Sequence, residues 1–113
     1  MHEMSLAIGV VEVIESEARK QGFARVERIV LEVGALACVD ASALEFGFEA
    51  AGKGTKAEGA VLEILTPPGA AYCFACQKSV PISRKGDPCP DCGGYQLVVT
   101  GGEELKIKSL EVC

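Results

Sequence analysis

Two Cys-x-x-Cys pairs constrain this chain more than any other stretch of its sequence. The first pair is Cys73 with Cys76, the second is Cys89 with Cys92, and twelve residues separate them. Each short hairpin presents two thiolates, and two hairpins complete the tetrahedron of sulfurs that Zn²⁺ accepts at about 2.3 Å. Four cysteine ligands leave no open coordination position, so such a centre is structural. The spacing predicts a zinc ribbon over residues 70–100.

Two disulfides or a single iron ion are the alternatives for the same four cysteines. No secretory signal opens the sequence, so we expect a reducing compartment, the cytoplasm, where disulfides are rare. One iron ion uses the same four thiolates as zinc, and the sequence does not distinguish between the two metals.

The composition fits a small domain stabilised by a metal. Of the 113 residues, 49% are hydrophobic but only 5% are aromatic, so the core is modest and gains from a metal staple. The chain has a net charge of −5, so it lacks the cluster of basic residues typical of nucleic-acid-binding proteins. No apolar run reaches the ~18 residues that a membrane-spanning helix needs. We therefore expect proteins and metal ions as partners, with no nucleic acid and no membrane.

Hydrophobic periodicity predicts two helices and three strands outside the ribbon. Apolar residues recur every three or four positions in the helices and alternate in the strands. The predicted helices span residues 3–21 and 41–51, and the predicted strands span 25–33, 60–66 and 103–112.

The expected fold class is α+β, with two helices on a small three-stranded sheet and an inserted zinc-ribbon module. Pro67-Pro68-Gly69 and Gly101-Gly102 interrupt regular structure and mark the edges of the insertion. The predicted domains are therefore 1–69 plus 101–113, and 70–100. The expected core of the ribbon consists of its larger apolar residues: Tyr72, Phe74, Val80, Ile82, Tyr95 and Leu97.

The first residues carry an arrangement of nitrogen donors. His2 is the only histidine, and a side chain of its size normally prevents removal of Met1, so the α-amine, the His2 amide and the imidazole follow one another. Amine and amide close a five-membered chelate ring, and amide and imidazole close a six-membered one. Such an in-plane set suits Ni(II) or Cu(II), and the Glu3 amide or carboxylate can extend it. The alternative is an exposed terminal histidine with no role.

Asp40 precedes the second helix and has two possible roles. Its side chain can cap the helix N-terminus, although Ser42 and Glu45 could instead form a capping box. Alternatively, the carboxylate stands beside a metal. Periodicity alone favours the cap.

Together these parts resemble the HypA/HybF family of hydrogenase nickel-insertion proteins over essentially the whole chain. The resemblance is carried by the Met1-His2-Glu3 start, Asp40, the two Cys-x-x-Cys pairs and the closing segment 104–112. It implies a non-catalytic metallochaperone that delivers Ni²⁺ to the large subunit of [NiFe]-hydrogenase, together with the GTPase HypB, and in some bacteria serves urease.

Residue by residue, the resemblance implies nickel ligands at Met1, His2 and Glu3, with Asp40 as a ligand or close neighbour. It implies structural zinc at the four ribbon cysteines: Cys73, Cys76, Cys89 and Cys92. Nickel is then transient cargo, and the protein is expected as a monomer or homodimer.

The chain departs from some relatives because it has no further histidine near the zinc module. A fourth nickel ligand must therefore come from backbone, carboxylate, thiol, water or a partner. Cys38, expected in a loop or core, and Cys113, expected to be a spare or frayed thiol, have no family counterpart. A zinc-ribbon adaptor for protein interactions is the alternative function; a nucleic-acid ribbon is less well supported, and an enzyme lacks the residues for an active site.

Overall fold

The computed structural model describes residues 3–113, which form two α-helices and six β-strands. The helices are α1 (Glu3–Gln21) and α2 (Ala41–Gly52). The strands, in chain order, are β1 (Val26–Val33), β2 (Val61–Leu65), β3 (Gly69–Cys73), β4 (Lys78–Ile82), β5 (Leu97–Gly101) and β6 (Leu105–Val112). Each helix and strand predicted from periodicity is present, with its ends shifted by two residues or fewer.

Three of the strands form one sheet in the order β2-β1-β6. The last strand of the chain thus returns to the two early strands, as the sequence predicts, and the α+β fold class is confirmed. Arg28 on the central strand forms ion pairs with Glu63 of β2 and with Glu111 of β6, the latter at 3.8 Å. These cross-strand pairs lie on one face of the sheet, because successive side chains of a strand alternate between faces.

Buried apolar residues of α1, β1 and α2 fill the core of this part of the molecule. Ile14, Ile29, Leu31 and Leu44 are at most 1% exposed. The helical residues among the buried set follow the expected spacing of three and four, as in Ala7, Val10, Val11, Ile14 and Ala18. The regularly spaced apolar residues of α1 therefore pack into the core.

The remaining strands form a second sheet in the order β4-β3-β5, with β3 antiparallel to both neighbours. Its buried cluster comprises side chains from β3, from β4, from the second Cys-x-x-Cys pair and from an earlier loop. These residues are Ala71, Cys73, Val80, Ile82, Cys89 and Leu36. Val80 and Ile82 were expected there. Leu36 was not, because a loop residue far from the ribbon in sequence shows no periodicity.

The structure contradicts the prediction that Phe74 and Tyr95 belong to the ribbon core. Phe74 is 55% exposed and Tyr95 is 73% exposed. Phe74 instead packs edge-on against Tyr72, with ring centroids 5.3 Å apart. Two cysteines and four aliphatic side chains form the buried cluster instead.

The chain divides into two compact units. The first comprises the described residues up to Leu31 together with Val39–Ile64 and Ile107–Cys113. The second comprises Glu32–Cys38 and Leu65–Lys106 and contains the cysteine pairs. The domain boundaries proposed from Gly and Pro placement remain a prediction.

Glycines allow close backbone contact inside the second unit. Gly102 adopts a positive φ of 90°, and a Cβ on it would lie 2.6 Å from the Gly69 Cα. A Cβ on Gly34 would collide with the Gly102 carbonyl group. The Leu36 N–H donates to that carbonyl oxygen at 2.7 Å, so the contact also holds the loop that carries Leu36.

We expect Gly34→Ala to lower the free energy of unfolding by about 3 kcal/mol, since the added methyl group meets fixed backbone atoms. Thermal unfolding of the zinc-loaded protein measures the effect. Gly9→Ala is the matched control, because nothing lies within 4 Å of its Cβ position in α1, and helix propensity predicts a gain of up to about 1 kcal/mol. Equal melting temperatures for the two variants would contradict the packing argument.

Candidate metal centre

The two cysteine pairs bring four sulfur atoms together within 4.8 Å of one another. The Sγ atoms of Cys73 and Cys92 are 3.7 Å apart, and those of Cys76 and Cys89 are 3.9 Å apart. A tetrahedron with metal–sulfur bonds of about 2.3 Å requires sulfur–sulfur separations of about 3.8 Å. The four thiols therefore match the dimensions of a tetrahedral metal site.

The backbone of each Cys-x-x-Cys turn, here called a knuckle, holds its sulfurs in place. The Cys76 N–H points to the Cys73 Sγ at 3.4 Å, which closes the first turn. In the second turn, the Cys89 N–H donates to the Gly94 carbonyl oxygen and the Gly93 N–H donates to the Cys89 carbonyl oxygen, each at 2.8 Å. Gly93 has a φ of 74°, a conformation that glycine adopts without steric cost.

Protonation of the cysteines differs within the cluster. Hydrogen bonding with the Cys92 thiol is the main cause that raises the pKa of Cys76 to about 12. Backbone N–H donation from Cys92 is the main cause that lowers the pKa of Cys89 to about 7. Four thiolates in this space repel one another, so a cation is needed to hold all of them deprotonated.

The residues fit a structural zinc ion better than disulfides. A disulfide requires sulfurs about 2.05 Å apart, much closer than the pairs observed here, and all six cysteines are free thiols. Within residues 3–113, this quartet is the one group of three or more His, Cys, Asp or Glu side chains arranged to hold a metal. Cys73 and Cys89 are buried, so the centre is tied into the core of its unit.

An ion pair beside the centre links the two knuckles and was not anticipated from the sequence. The Lys78 ammonium group, two residues after Cys76, pairs with the Asp91 carboxylate, which lies between Cys89 and Cys92. This pairing raises the pKa of Lys78. The sequence does contain a signal for this ion pair, because a basic residue follows one Cys-x-x-Cys pair and an acidic residue lies inside the other. The pair adds a side-chain link between the two Cys-x-x-Cys segments.

The other predicted site lies at the beginning of the chain. Met1 and His2 are outside the described residues. Glu3 begins α1, and its carboxylate accepts the Asp40 N–H at 3.1 Å. The structure thus brings together Glu3 and Asp40, which are 37 residues apart in sequence.

Asp40 is the N-cap of α2, as periodicity favoured. Its backbone is extended and its Oδ1 accepts the Ala43 N–H at 3.2 Å. Asp40 takes the capping position, so the suggested Ser42–Glu45 box does not define this helix end. A carboxylate has acceptor capacity on two oxygens, so a cap can also lie beside a metal.

Further along the two helices, the Lys56 N–H donates to the Glu15 carboxylate at 3.2 Å. The early residues of α1 thus contact the start of α2, and later residues of α1 contact the segment after α2. The two helices therefore run in the same direction, and both N-termini lie at the end that carries Glu3 and Asp40.

Replacing Asp40 with alanine should lower the free energy of unfolding by about 1 kcal/mol, since the Ala43 N–H loses its acceptor. Asp40→Asn keeps an oxygen acceptor in the same position, so its stability should stay within about 0.5 kcal/mol of the wild type. Urea unfolding of both variants tests this. A large loss in the asparagine variant would show that the charge, not the cap, stabilises this helix end.

The two remaining cysteines lie away from the quartet. Cys38 is an exposed loop residue with a φ of 56°. Cys113 is exposed but not frayed, which corrects one of the two expectations for it: its N–H donates to the Arg25 carbonyl oxygen at 3.0 Å, and its own carbonyl oxygen accepts the Ala24 N–H. Its thiol donates to the Glu27 carboxylate.

Among the described residues, no helix is both long and apolar enough to cross a lipid bilayer.

Comparison with known proteins matches nearly the whole chain to one family. A family model described as hydrogenase/urease nickel incorporation, metallochaperone, hypA matches residues 1–112. Hydrogenase maturation factor HypA 2 of Bradyrhizobium diazoefficiens is 54% identical over 112 residues, and hydrogenase maturation factor HypA of Alkalilimnicola ehrlichii is 53% identical. Each alignment covers 99% of both chains.

A solved structure agrees at the level of the fold. The solution structure of the Ni metallochaperone HypA from Helicobacter pylori superimposes with a TM-score of 0.72, covering 99% of this chain and 97% of that one, at 24% identity. The sequence matches extend over nearly the whole chain. This protein belongs to the HypA family of hydrogenase/urease nickel-incorporation metallochaperones.

Proposed function

We propose that this protein binds Ni²⁺ through Met1, His2 and Glu3, with Asp40 as a ligand or close neighbour, and delivers it to the large subunit of [NiFe]-hydrogenase. The observation that carries the proposal is the hydrogen bond between the Glu3 carboxylate and the Asp40 N–H. This hydrogen bond joins Glu3, which follows His2, to Asp40, the other acidic residue proposed to lie at the nickel site. Membership of a nickel-incorporation family supports the choice of cargo.

The donor set suits nickel. The Met1 amine, the His2 amide and the His2 imidazole form fused five- and six-membered chelate rings, and imidazole and amide nitrogens favour square-planar Ni(II). A carboxylate from Glu3 or Asp40 supplies a fourth donor. Nitrogen donors on a short segment can be displaced stepwise by the thiolates of a receiving site, which gives the cargo an exit route.

The four ribbon cysteines have a different role in this proposal. Cys73, Cys76, Cys89 and Cys92 hold Zn²⁺ permanently, and their closed tetrahedron keeps the second unit folded. Zinc is thus the resident cofactor and nickel is the cargo. The separation of the two metals follows from their ligands, because thiolates hold zinc firmly and the nitrogen–oxygen set is open to exchange.

The expected partners follow from this role. We propose that the GTPase HypB assists delivery in the cytoplasm, and that the protein acts as a monomer or homodimer without catalysing a reaction itself. Delivery to urease is a second possible destination, since the family description includes it.

Nickel transfer tests the function directly. Untagged protein loaded with one Ni²⁺ is mixed with nickel-free hydrogenase large-subunit precursor, and the nickel content of each is measured after separation. We expect transfer faster than from an equal concentration of a small-molecule nickel chelate of matched affinity. Transfer no faster than from that chelate would favour the alternative, a zinc-ribbon adaptor.

The Asp40→Asn variant separates the two roles of this residue. If the carboxylate binds or adjoins nickel, the variant should bind nickel at least about tenfold more weakly at unchanged stability. Unchanged nickel affinity would confine Asp40 to its capping role.

A further inference from the structure

One edge of the second sheet lacks the features that normally keep a strand from pairing with another chain. The order β4-β3-β5 makes β5 an edge strand, and its residues Leu97–Gly101 include no proline and no charged side chain. Val98 on this strand is 49% exposed. Proteins usually protect an exposed edge with proline, charge or a covering segment, because its free N–H and C=O groups pair readily with a further strand.

The pairing of β5 with β3 determines which of its backbone groups point outwards. The Phe74 N–H donates to the Gln96 carbonyl oxygen at 3.0 Å, and the antiparallel ladder continues in register from there to Val99. Hydrogen-bonded and non-hydrogen-bonded pairs alternate along such a ladder, so Val98 bonds to β3 whereas Leu97 and Val99 do not. The N–H and C=O groups of Val99 and the C=O group of Leu97 therefore point away from β3.

The same alternation shows that the opposite edge of this sheet is protected. Residues of β3 bond in turn to one neighbour and then to the other, so Ala71 bonds to Val80 of β4. Ser79 and Pro81, which flank Val80, direct their backbone groups outwards. Pro81 has no N–H to donate at this outward position, and Lys78 adds a charge at the start of the strand.

The two edge strands of the first sheet carry charged side chains. Glu63 lies at the centre of β2, and β6 contains Lys106, Lys108 and Glu111. Charged side chains on an edge strand discourage pairing with another chain. Among the four sheet edges of the described chain, only β5 has neither a proline nor a charge.

The edge of β5 is complementary to a second copy of itself. A register shift between Ala70 and Ala71 interrupts the ladder beyond Val99, so the regular part of the edge centres on Val98. Antiparallel pairing about Val98 places Leu97 of one copy opposite Val99 of the other, where their outward backbone groups meet. Aliphatic and β-branched pairs across strands stabilise a sheet, and no like charges meet in this register.

The face of the sheet beside this edge is also uncharged. Ser79, Tyr72 and Val98 lie next to one another across the three strands, and Phe74 packs edge-on against Tyr72. Two copies joined at β5 present this face on the same side, because a two-fold axis perpendicular to the sheet relates them. The whole chain has a net charge of −5, so a neutral edge and face limit the repulsion between two copies.

We infer that two copies of this chain pair antiparallel along β5, centred on Val98, and form one six-stranded sheet with the order β4-β3-β5-β5-β3-β4. This contact specifies an interface for the homodimer and does not rest on the proposed nickel site. The paired strand is only five residues long, so we expect the buried area to stay below the ~1,200 Å² of standard interfaces and the dimer to dissociate on dilution.

Sedimentation equilibrium of the zinc-loaded full-length protein over a range of concentrations tests the inference. Wild type should form dimers reversibly, and Val98→Lys should weaken the dimer at least about tenfold, because two ammonium groups then face each other. Ser79→Lys is the matched control, since Ser79 and Val98 oppose Tyr72 from its two sides and both variants add the same charge. Its association should equal that of the wild type. Bound zinc in each variant establishes that the second unit is folded.

A cysteine cross-link tests the register. Residues opposite each other in a non-hydrogen-bonded pair have Cα atoms about 4.5 Å apart, which is within the range of a disulfide. The background is Cys38→Ser with Cys113→Ser, which removes the two cysteines outside the zinc quartet. In this background, Val98→Cys should give a disulfide-linked dimer with oxidised glutathione, and Ser79→Cys should not.

Three results would each overturn the inference. Wild type could stay monomeric at every concentration, Val98→Lys could associate as strongly as wild type, or Ser79→Cys could cross-link as readily as Val98→Cys. The second result would show that another surface joins the copies. Nickel titration of Val98→Lys should match that of the wild type, so this interface and the proposed function succeed or fail in separate measurements.

Discussion

Cys89→Ser is expected to abolish zinc binding and unfold the second unit. Cys89 is 1% exposed and belongs both to the sulfur quartet and to the buried cluster of that unit. The cluster is small, so most of its folding free energy must come from the metal, for which small zinc modules provide an apparent 10–16 kcal/mol. We expect bound zinc to fall from about one per chain to near zero.

Amide hydrogen exchange measures the structural consequence. The amides of Ala71 in β3 and Val80 in β4 should lose protection, because their sheet packs on the quartet. Amides at Ile14 and Leu31 should remain protected, since these residues are buried in the core of the first unit. The expected pattern is therefore local unfolding rather than a uniform loss of stability.

Cys38→Ser is the matched control for this experiment. Cys38 also belongs to the second unit, but it is exposed and lies outside the quartet. Its replacement should leave zinc content and exchange protection unchanged. Removing zinc from the wild type with a chelator should reproduce the Cys89→Ser pattern. Protection that survives zinc removal would show that the apolar cluster folds without its metal.

His2→Gln is expected to lower nickel affinity by at least about a hundredfold, more than the 10–100-fold typical when only a residue supporting a ligand is lost. The change removes the single imidazole of the chain and opens the six-membered chelate ring. Glutamine is preferable to alanine here, because a small second residue would also promote removal of Met1 and with it the proposed amine ligand.

The measurement is a nickel titration of zinc-loaded protein with an untagged N-terminus, since a tag would block the amine and could add histidines. Wild type should bind one Ni²⁺ tightly, and the variant should keep its zinc while losing this site. Cys113→Ser is a suitable control, because its thiol contacts Glu27 and should play no part in nickel binding. Equal nickel affinity in wild type and His2→Gln would refute the assignment.

Local patterns of the sequence were sufficient to predict the two helices and the three strands of the first sheet. The spacing of three and four in α1, the alternation in β1 and the position of Asp40 before α2 each reflect short-range geometry, and the structure agrees with all three. The return of β6 to the first sheet was also predicted, because the last strand had no local partner apart from the end of the ribbon. The grouping of the four cysteines at one site was predicted from the spacing of the two Cys-x-x-Cys pairs.

Contacts between distant segments could not be predicted in this way. Leu36 enters the buried cluster of the second unit from a loop, and Phe74 and Tyr95 remain outside it, because the space around two buried sulfurs decides which side chains fit. The ion pair of Lys78 with Asp91 likewise depends on how the two knuckles face each other. Residue type alone does not specify these outcomes.

The sequence by itself determined the two helices, the strands of the first sheet and the cysteine quartet, since periodicity and ligand spacing act over a few residues. The resemblance of its motifs indicated the family. Only the tertiary structure decided that Glu3 receives the Asp40 N–H and that the Met4 side chain lies against Gly47. The physical reason is that both features depend on α1 and α2 packing side by side in the same direction, which the glycine at position 47 permits and no local pattern encodes.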